Sequence, residues 1–378
     1  MEIVLANDAF AGVGGSETYL LTVAEHLQRL GHEPTIYARI CGPMADLAIA
    51  RGVPVARQSS CLPSSCDVVV AQDGAMAYEL GERWPEAPQV FVAHSPIFDL
   101  QLPPVFPGVA SAIVVLSDRV EQRIRAMAGS QEIVRLRQPI DAERLFPRGA
   151  PRSRPQRALL LGNYLQADVR RVISDAWKSM GVEIVQVGQP TTELLDPESE
   201  IAAADIVVGK GRAVLDAMAC GRPAYIYDMF GADGWVTPEH YHLQEADGFA
   251  GLALPVVLDE QKLRRDLNDY DPLMGQANRK LILMHHLAST HVHELVGLFR
   301  RLAPRAPAPT LPHREFARLI RLRWGADAEL IKLRLALASM SEKINALTTE
   351  LEVNHERSGT EDAGLPAHAR QTANLKEH

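Results

Sequence analysis

Apolar residues recur along the chain in two alternating rhythms. Short, largely apolar runs at Ile3–Ala6, Thr35–Ala38, Val68–Ala71, Gln89–Ala93 and Ala112–Leu116 read as strands buried on both faces of a parallel sheet. Between the first two, the helical spacing of Leu20, Val23, Ala24, Leu27 and Leu30 predicts an amphipathic helix over 16–30, which Gly31 is placed to stop. Strand and helix in alternation argue for right-handed βαβ units and a doubly wound α/β sheet.

The rhythm breaks after Phe146 at PRGAPRSRPQR, a Pro-, Arg- and Gly-rich stretch that reads as a linker. It then restarts with strands at Ala158–Leu161, Glu183–Val187, Ile206–Val208 and Ala224–Tyr227, and with helices ending at Trp177 and starting at Ala213. Two successive α/β domains, 1–147 and 157–302, follow from this, with 148–156 between them and the helical region 272–302 expected to close the second. Residues 303–314, APRAPAPTLPHR, form a second linker whose prolines forbid a continuous helix. Within 315–353, Leu330, Leu333, Leu337, Met340, Ile344, Leu347 and Leu351 alternate spacings of three and four, an a/d seam with Lys343 and Glu350 at flanking g positions. The stripe is narrow and polar on both flanks, so it predicts a coiled coil and a homodimer through residues 330–351, on a helix that the linker frees from the body. Residues 354–378 are polar throughout and predict disorder.

Composition narrows the classes. A chain of 378 residues, 47% hydrophobic and 23% charged, can bury a large core. With 39 Lys and Arg against 47 acids its net charge is −8, which argues against non-specific nucleic-acid binding. No apolar run approaches the ~18–20 residues that span a bilayer, so no transmembrane segment is expected. Glu2 stands where an export signal carries positive charge. Four cysteines are too few for a disulfide framework, and Cys61 and Cys66 have no second ligand pair nearby, so the expectation is a reduced, cytoplasmic protein.

Two turns hold candidate chemistry. The first strand runs through Asn7-Asp8-Ala9-Phe10-Ala11-Gly12-Val13-Gly14-Gly15 into a helix, and such a turn lets backbone N–H groups approach a phosphate. Its spacing is not the dinucleotide GxGxxG fingerprint, which excludes a nicotinamide-dependent oxidoreductase. In the second half, a strand leads into Gly209-Lys210-Gly211-Arg212 and then a helix carrying Asp216. A helix N-terminus with two cations suits a diphosphate, and Asp216 a ribose diol.

The AMACGRP run (217–223), the opening GGSE (14–17) followed by Leu30-Gly31-His32, and Gln138-Pro139-Ile140-Asp141 with Leu145-Phe146-Pro147 resemble the family-4 glycosyltransferases over roughly residues 1–300. The resemblance implies the GT-B fold, two facing Rossmann-like domains, here with an appended C-terminal helix, and a nucleotide-sugar donor in the cleft. It implies that Gly14 and Gly15 face the donor phosphates, that His94 contacts the transferred sugar, and that Asp216 is the second acid of the family's Glu-x7-Glu motif. The first acid falls on Val208, and the family's Arg and Lys after the first strand of the second domain fall on Asn163 and Asp168. Asn163 and Gly211 are kept at the donor site, and Lys210 and Arg212, with Arg170 and Arg171 after them, are the candidates to take over the lost phosphate-neutralising charge.

The activity this implies is glycosyl transfer with retention, from a nucleotide-sugar to a glycan, lipid-linked or small-molecule acceptor. Negative charge builds on the departing diphosphate, and fixed cations there remove the need for a metal or other cofactor. Neither of two histidine clusters is read as a metal site: Glu239-His240-Tyr241-His242 lacks an obvious third ligand, and His285, His286, His291 and His293 mostly decorate a helix. The alternative is a catalytically silent GT-B scaffold that pairs with an active partner through the C-terminal helix.

Overall fold

The computed structural model describes residues 1–95, 98–127, 131–163, 165, 167–188, 193–228, 231–254, 256, 259–305 and 312–363. The chain divides into a body, Met1–Ile320, and a C-terminal unit, Arg321–His378. The first half carries β1 (Glu2–Ala6), β2 (Ala9–Phe10), α1 (Gly15–Arg29), β3 (Glu33–Tyr37), β4 (Ile40–Cys41), α2 (Pro43–Ala50), β5 (Val55–Ala56), β6 (Val68–Ala71), α3 (Gly74–Arg83), β7 (Gln89–Ala93), β8 (Ala112–Val115), α4 (Asp118–Arg125) and β9 (Glu132–Arg135). Seven of these strands form a parallel sheet in the order β5-β3-β1-β6-β7-β8-β9, and β2 pairs with β4 beside it.

The second half carries β10 (Arg157–Leu161), α5 (Ala167–Lys178), β11 (Glu183–Val187), α6 (Glu198–Ala203), β12 (Ile206–Gly209), α7 (Arg212–Ala219), β13 (Ala224–Asp228), β14 (Gly231–Trp235), α8 (Tyr241–Ala246), α9 (Glu260–Asn268), α10 (Leu273–His285), α11 (Ala288–Arg301) and α12 (His313–Ala363). Its sheet runs β11-β10-β12-β13-β14, parallel except for the last pair. The body is thus two Rossmann-like α/β halves, each a parallel sheet covered by helices. The strands are apolar at consecutive positions because both faces are covered: all four residues of β6 and all five of β7 are buried. Among the described residues, no helix is long and apolar enough to cross a membrane.

Two features of the connections depart from the sequence reading, and a third goes beyond it. First, 272–302 does not close the second domain as one piece. Ile282 of α10 packs in the second core, but Val292, Leu295, Val296, Leu298 and Phe299 of α11 join the first core beside Leu20, Val23 and Leu27 of α1. The chain therefore crosses back to its first half. Helical periodicity specifies an apolar face but not the sheet that will cover it.

Second, the segment 303–314 does not free the next helix. Arg305 enters the first half, where its guanidinium donates to the carbonyls of Ala87, Val109, Trp84 and Gly81. Two of these lie at the C-terminal end of α3, where the helix dipole favours a cation. The first turns of α12 pack there too: Phe316 lies 4.6 Å from the Phe106 ring and 5.4 Å from that of Tyr78, and Ala317 is fully buried. Residues 306–311 of this linker lie outside the described residues, as does the expected disorder over 364–378; the 354–363 part of that expectation fails, because α12 extends to Ala363.

Third, the stretch 148–156 is tied down by one carboxylate. Asp205 accepts hydrogen bonds from the backbone N–H groups of Arg152, Gln156 and Arg157 and from the Arg152 guanidinium. Burial pushes its pKa up, but these donors outweigh burial and hold it below the ordinary value.

In the C-terminal unit, α12 is one helix, and all seven seam residues from Leu330 to Leu351 are 50–69% exposed. The hydrophobic stripe is present and exposed.

Two outcomes follow. A chain ending at Pro312 loses the Phe316 and Ala317 contacts and should unfold in denaturant with roughly 2–4 kcal/mol less stability, whereas one ending at Ile320 keeps them. Asp205→Ala leaves three backbone donors unpaired and should cost about 3 kcal/mol at pH 7. Because the folded pKa is depressed, the wild-type contribution is present at neutral pH and disappears as pH falls below about 4 and through the folded value. Equal stability of Asp205→Ala and wild type at pH 7 would contradict this account.

Candidate functional site

The site is assembled where strands end. At the C-terminal edge of the first sheet, β1 leads into Asn7 and Asp8, β6 into Gln72 and Asp73, β7 into His94, and β8 into Leu116 and Ser117. Asp73 caps α3 by accepting from Met76 N–H at 2.8 Å and accepts from Asp8 N–H at 2.7 Å. Ser117 caps α4 in the same manner and lies against Gly248 of the second half, where an added Cβ would come within 3.2 Å of the serine.

At the edge of the second sheet, Gly162 and Asn163 follow β10, Gly188 follows β11, Lys210 follows β12, and Asp228 ends β13. Leu161 is opposite Gly209 and Val187, so the three turns are neighbours. Gly188 has φ +109°, and a Cβ there would collide with the Gly162 carbonyl; only glycine lets these turns close on each other.

The two edges meet at the glycine loop. Asn163 donates from Nδ2 to the Val13 carbonyl at 2.8 Å, which joins the second half directly to the loop. Gly14 is the N-cap of α1 in extended conformation, and a side chain there would strike the Glu17 carboxylate. Glu17 turns back over the loop and takes the Ser16 hydroxyl at 2.8 Å. Burial pushes its pKa up, opposed by its own N–H and Ser16, and Glu193 adds to the rise. Glu193 of the second half comes close enough that a Cβ on Gly12 would lie 3.3 Å from its carboxylate. The loop expected to face donor phosphates therefore has two acids beside it, Glu17 of the GGSE run and, from the second half, Glu193, which the sequence did not point to. Beside Gly15 the space is open to 4 Å.

Lys210, Gly211, Arg212 and Asp216 are brought together as expected. Gly211 is the N-cap of α7 with φ +54°, and its N–H donates to the Phe249 carbonyl. Both cations are engaged. Lys210 pairs with Asp228. The Arg212 side chain, 10% exposed, pairs through Nε with Asp216 at 2.7 Å and donates from Nη1 to the Pro139 carbonyl at 3.1 Å. Its Nη2 is enclosed without a partner among the described residues. Asp216 thus positions Arg212, a role that sequence spacing left open. Val208 is a buried residue of the second core, and the side chain of Asp168, in the first turn of α5, lies outside the described residues.

His94 is partly buried, with Nε2 enclosed and without a partner among the described residues. Burial, and secondarily His291, lowers its pKa to about 3, so the ring is neutral at pH 7. Tyr19 of α1 meets it edge-on at 5.0 Å. Gln72, 1% exposed, has both amide atoms enclosed and without a partner among the described residues. An orphaned amide of this kind costs about 1–3 kcal/mol, so it calls for a reason.

Two of the clustered histidines prove to be struts rather than decoration. His291 Nδ1 lies 2.8 Å from the Arg137 carbonyl, which can only accept; Nδ1 therefore carries the proton and Nε2 accepts the Tyr19 hydroxyl at 2.9 Å. His286 repeats the pattern, donating to the Gln138 carbonyl at 2.9 Å and accepting from Tyr241 at 2.9 Å. Burial lowers their pKa values to about 3 for His286 and about 4 for His291. No group of three metal-ligating side chains occurs among the described residues.

No protein-family model matches the chain, and no curated protein is similar to it in sequence. Solved structures do match its fold. Anabaena Alr3699/HepE in complex with UDP-glucose superposes with a TM-score of 0.58 at 13% identity, over 80% of this chain and 100% of that one. A glycosyltransferase from Rickettsia africae gives 0.57 at 15% identity, over 79% and 98%. Sucrose-phosphate synthase from Thermosynechococcus elongatus gives 0.54 at 13%, over 80% and 99%. The architecture is that of the GT-B glycosyltransferases, two Rossmann-like halves.

His286 and His291 are buried neutral, whereas the unfolded chain binds their protons near pH 6.5. Stability should therefore fall as pH drops from 7 to 5, by roughly 1 kcal/mol per histidine between pH 6 and 5. Urea unfolding at the two pH values measures this, and His291→Gln should flatten the dependence. An unchanged midpoint would show the rings to be protonated in the native state.

Proposed function

We propose that the protein is a nucleotide-sugar-dependent glycosyltransferase, of the family-4 type, that transfers with retention to a glycan, lipid-linked or small-molecule acceptor. The observation that carries the reading is the polar edge of the second sheet, where the N-terminus of α7, Lys210 and Arg212 gather beside a first-half edge bearing the neutral His94. The UDP-glucose held by the HepE structure, on the same fold, supports a nucleoside diphosphate sugar as donor. In this reading Gly14 and Gly15 line the donor phosphates, Asn163 holds the loop that carries them, and Asp216 shares its carboxylate between Arg212 and a ribose. Lys210 and the free Nη2 of Arg212, with the α7 backbone, stabilise the charge that builds on the departing diphosphate. His94, uncharged, meets sugar hydroxyls. The fixed cations serve in place of a metal, and the reaction should withstand EDTA. A cytoplasmic location goes with such a donor.

A silent scaffold is the second reading, favoured by the acids Glu17 and Glu193 at the glycine loop and by the prior pairing of Lys210. Turnover separates the two. Purified protein should consume one nucleotide-sugar of a UDP, GDP, dTDP and ADP panel, and that nucleotide should raise its melting temperature. Binding without consumption, in the presence of varied acceptors, would favour the scaffold. Replacing Lys210 and Arg212 together by Ala should weaken nucleoside-diphosphate binding about a hundredfold or more. Undiminished affinity in the folded double variant would remove these residues from the donor site.

We also propose that the exposed seam of α12 pairs with that of a second copy. Seven side chains that are half-exposed or more would each gain roughly 1–2 kcal/mol on burial. Light scattering on the full chain should report a dimer, and Leu337→Asp with Ile344→Asp a monomer that still binds nucleotide. A wild-type monomer at micromolar concentration would overturn the pairing.

A further inference from the structure

Two polar groups left unanswered at the first sheet's edge are neighbours. The strands β6 and β7 pair in parallel with Ala71 opposite Phe91, which sets Gln72 level with Val92 and one side-chain layer below His94. Gln72 continues the row of Val68 and Val70, and His94 the row of Val90 and Val92, all four of which belong to the first core. Both residues therefore stand on the face of the sheet that α1 covers. Diagonal positions of this kind are roughly 7–8 Å apart between Cα atoms, within reach of a side chain as long as glutamine through one water.

The chemistry of the two is complementary. Among the described residues, the enclosed Nε2 of His94 and the enclosed carbonyl oxygen and amide nitrogen of Gln72 have no partner. Tyr19, which meets His94 edge-on, has its hydroxyl proton committed to His291 and presents only its ring edge. Of the two neutral imidazole tautomers, the one protonated at Nε2 is intrinsically favoured, and an enclosed N–H requires an acceptor.

We propose that Gln72 is a positioning residue for His94. Its Oε1 accepts the Nε2–H of His94 through one buried water and fixes the tautomer that leaves Nδ1 as a bare acceptor for a hydroxyl of a polyhydroxylated substrate. The use of that acceptor on a sugar rests on the glycosyltransferase reading; the tautomer does not.

Nitrogen-15 NMR of the full chain with labelled histidine tests it without substrate, because the two ring nitrogens of a fixed tautomer resonate far apart. The His94 signals are assigned by their loss in His94→Gln. Wild type should show His94 at least tenfold in the Nε2–H form. Gln72→Met, which keeps shape and removes both polar atoms, should bring the tautomers within a few-fold of each other and lower kcat at least tenfold with KM for the donor little changed. Gln72→Glu, which retains an acceptor, should restore the Nε2–H form. A His94 found in the Nδ1–H form, or an Nε2–H preference unmoved by Gln72→Met, would overturn the proposal. A protein with the expected tautomer shift but no transfer activity would overturn the enzymatic reading and leave the positioning role standing.

Discussion

The structure depends on one crossing. The chain leaves its first half through Arg137 and Gln138, and returns through His286, Leu287 and His291. At that place Ile140 N–H donates to the His286 carbonyl and Ala288 N–H to the Ile140 carbonyl, so the outgoing and returning strands bridge each other. Each histidine then spends its Nδ1 proton on an outgoing carbonyl and its Nε2 lone pair on a tyrosine, Tyr19 in the first half and Tyr241 in the second. Both rings must be neutral for this, and burial keeps them so. The hinge between the halves is thus built from groups that have only one satisfactory protonation state.

Charge organises the space around that crossing. Arg119 pairs with Asp247 and Arg135 with Glu245, each linking the first half to the second, while Arg144 reaches Asp196 and Glu198. These pairs fix the approach of the two sheet edges from the flanks. Between them, at the glycine loop, the arrangement changes sign: Asn163 makes a neutral contact to Val13, and Glu17 and Glu193 supply like charges. The loop thus carries backbone donors beside two carboxylates, whereas on the α7 side Arg212 keeps one nitrogen without a partner among the described residues. The polar groups left unsatisfied at this edge, in Gln72, His94 and Arg212, lie at the strand-end turns where an α/β fold binds its ligands.

Pattern alone carried much of this. The buried strands, the helix spanning 16–30 and the restart after Phe146 were legible because a parallel strand must be apolar at successive positions and a covering helix on one face. The Lys210–Asp216 group was legible because a strand, a glycine turn and a helix N-terminus are local. Contacts across long separations were not. Asp216 pairs with an arginine one turn away, but that arginine also answers Pro139, and Lys210 answers Asp228 across two strands. The histidine runs looked decorative, since burial of alternate members cannot be read from a helix without knowing its neighbours.

What the sequence determined by itself, then, was the set of elements, their type and the two-domain order, all of which rest on the periodicity of neighbouring residues. The a/d stripe of α12 belongs to that set, and it is there as written. Only tertiary structure decided which sheet α11 would cover, that Arg305 and Phe316 would anchor α12 to α3, and that Glu193 would join Glu17 at the glycine loop. These outcomes depend on the shape, charge and hydrogen-bonding demand of surfaces made by residues more than a hundred positions away. A helix face or a proline-rich stretch holds no local record of such surfaces.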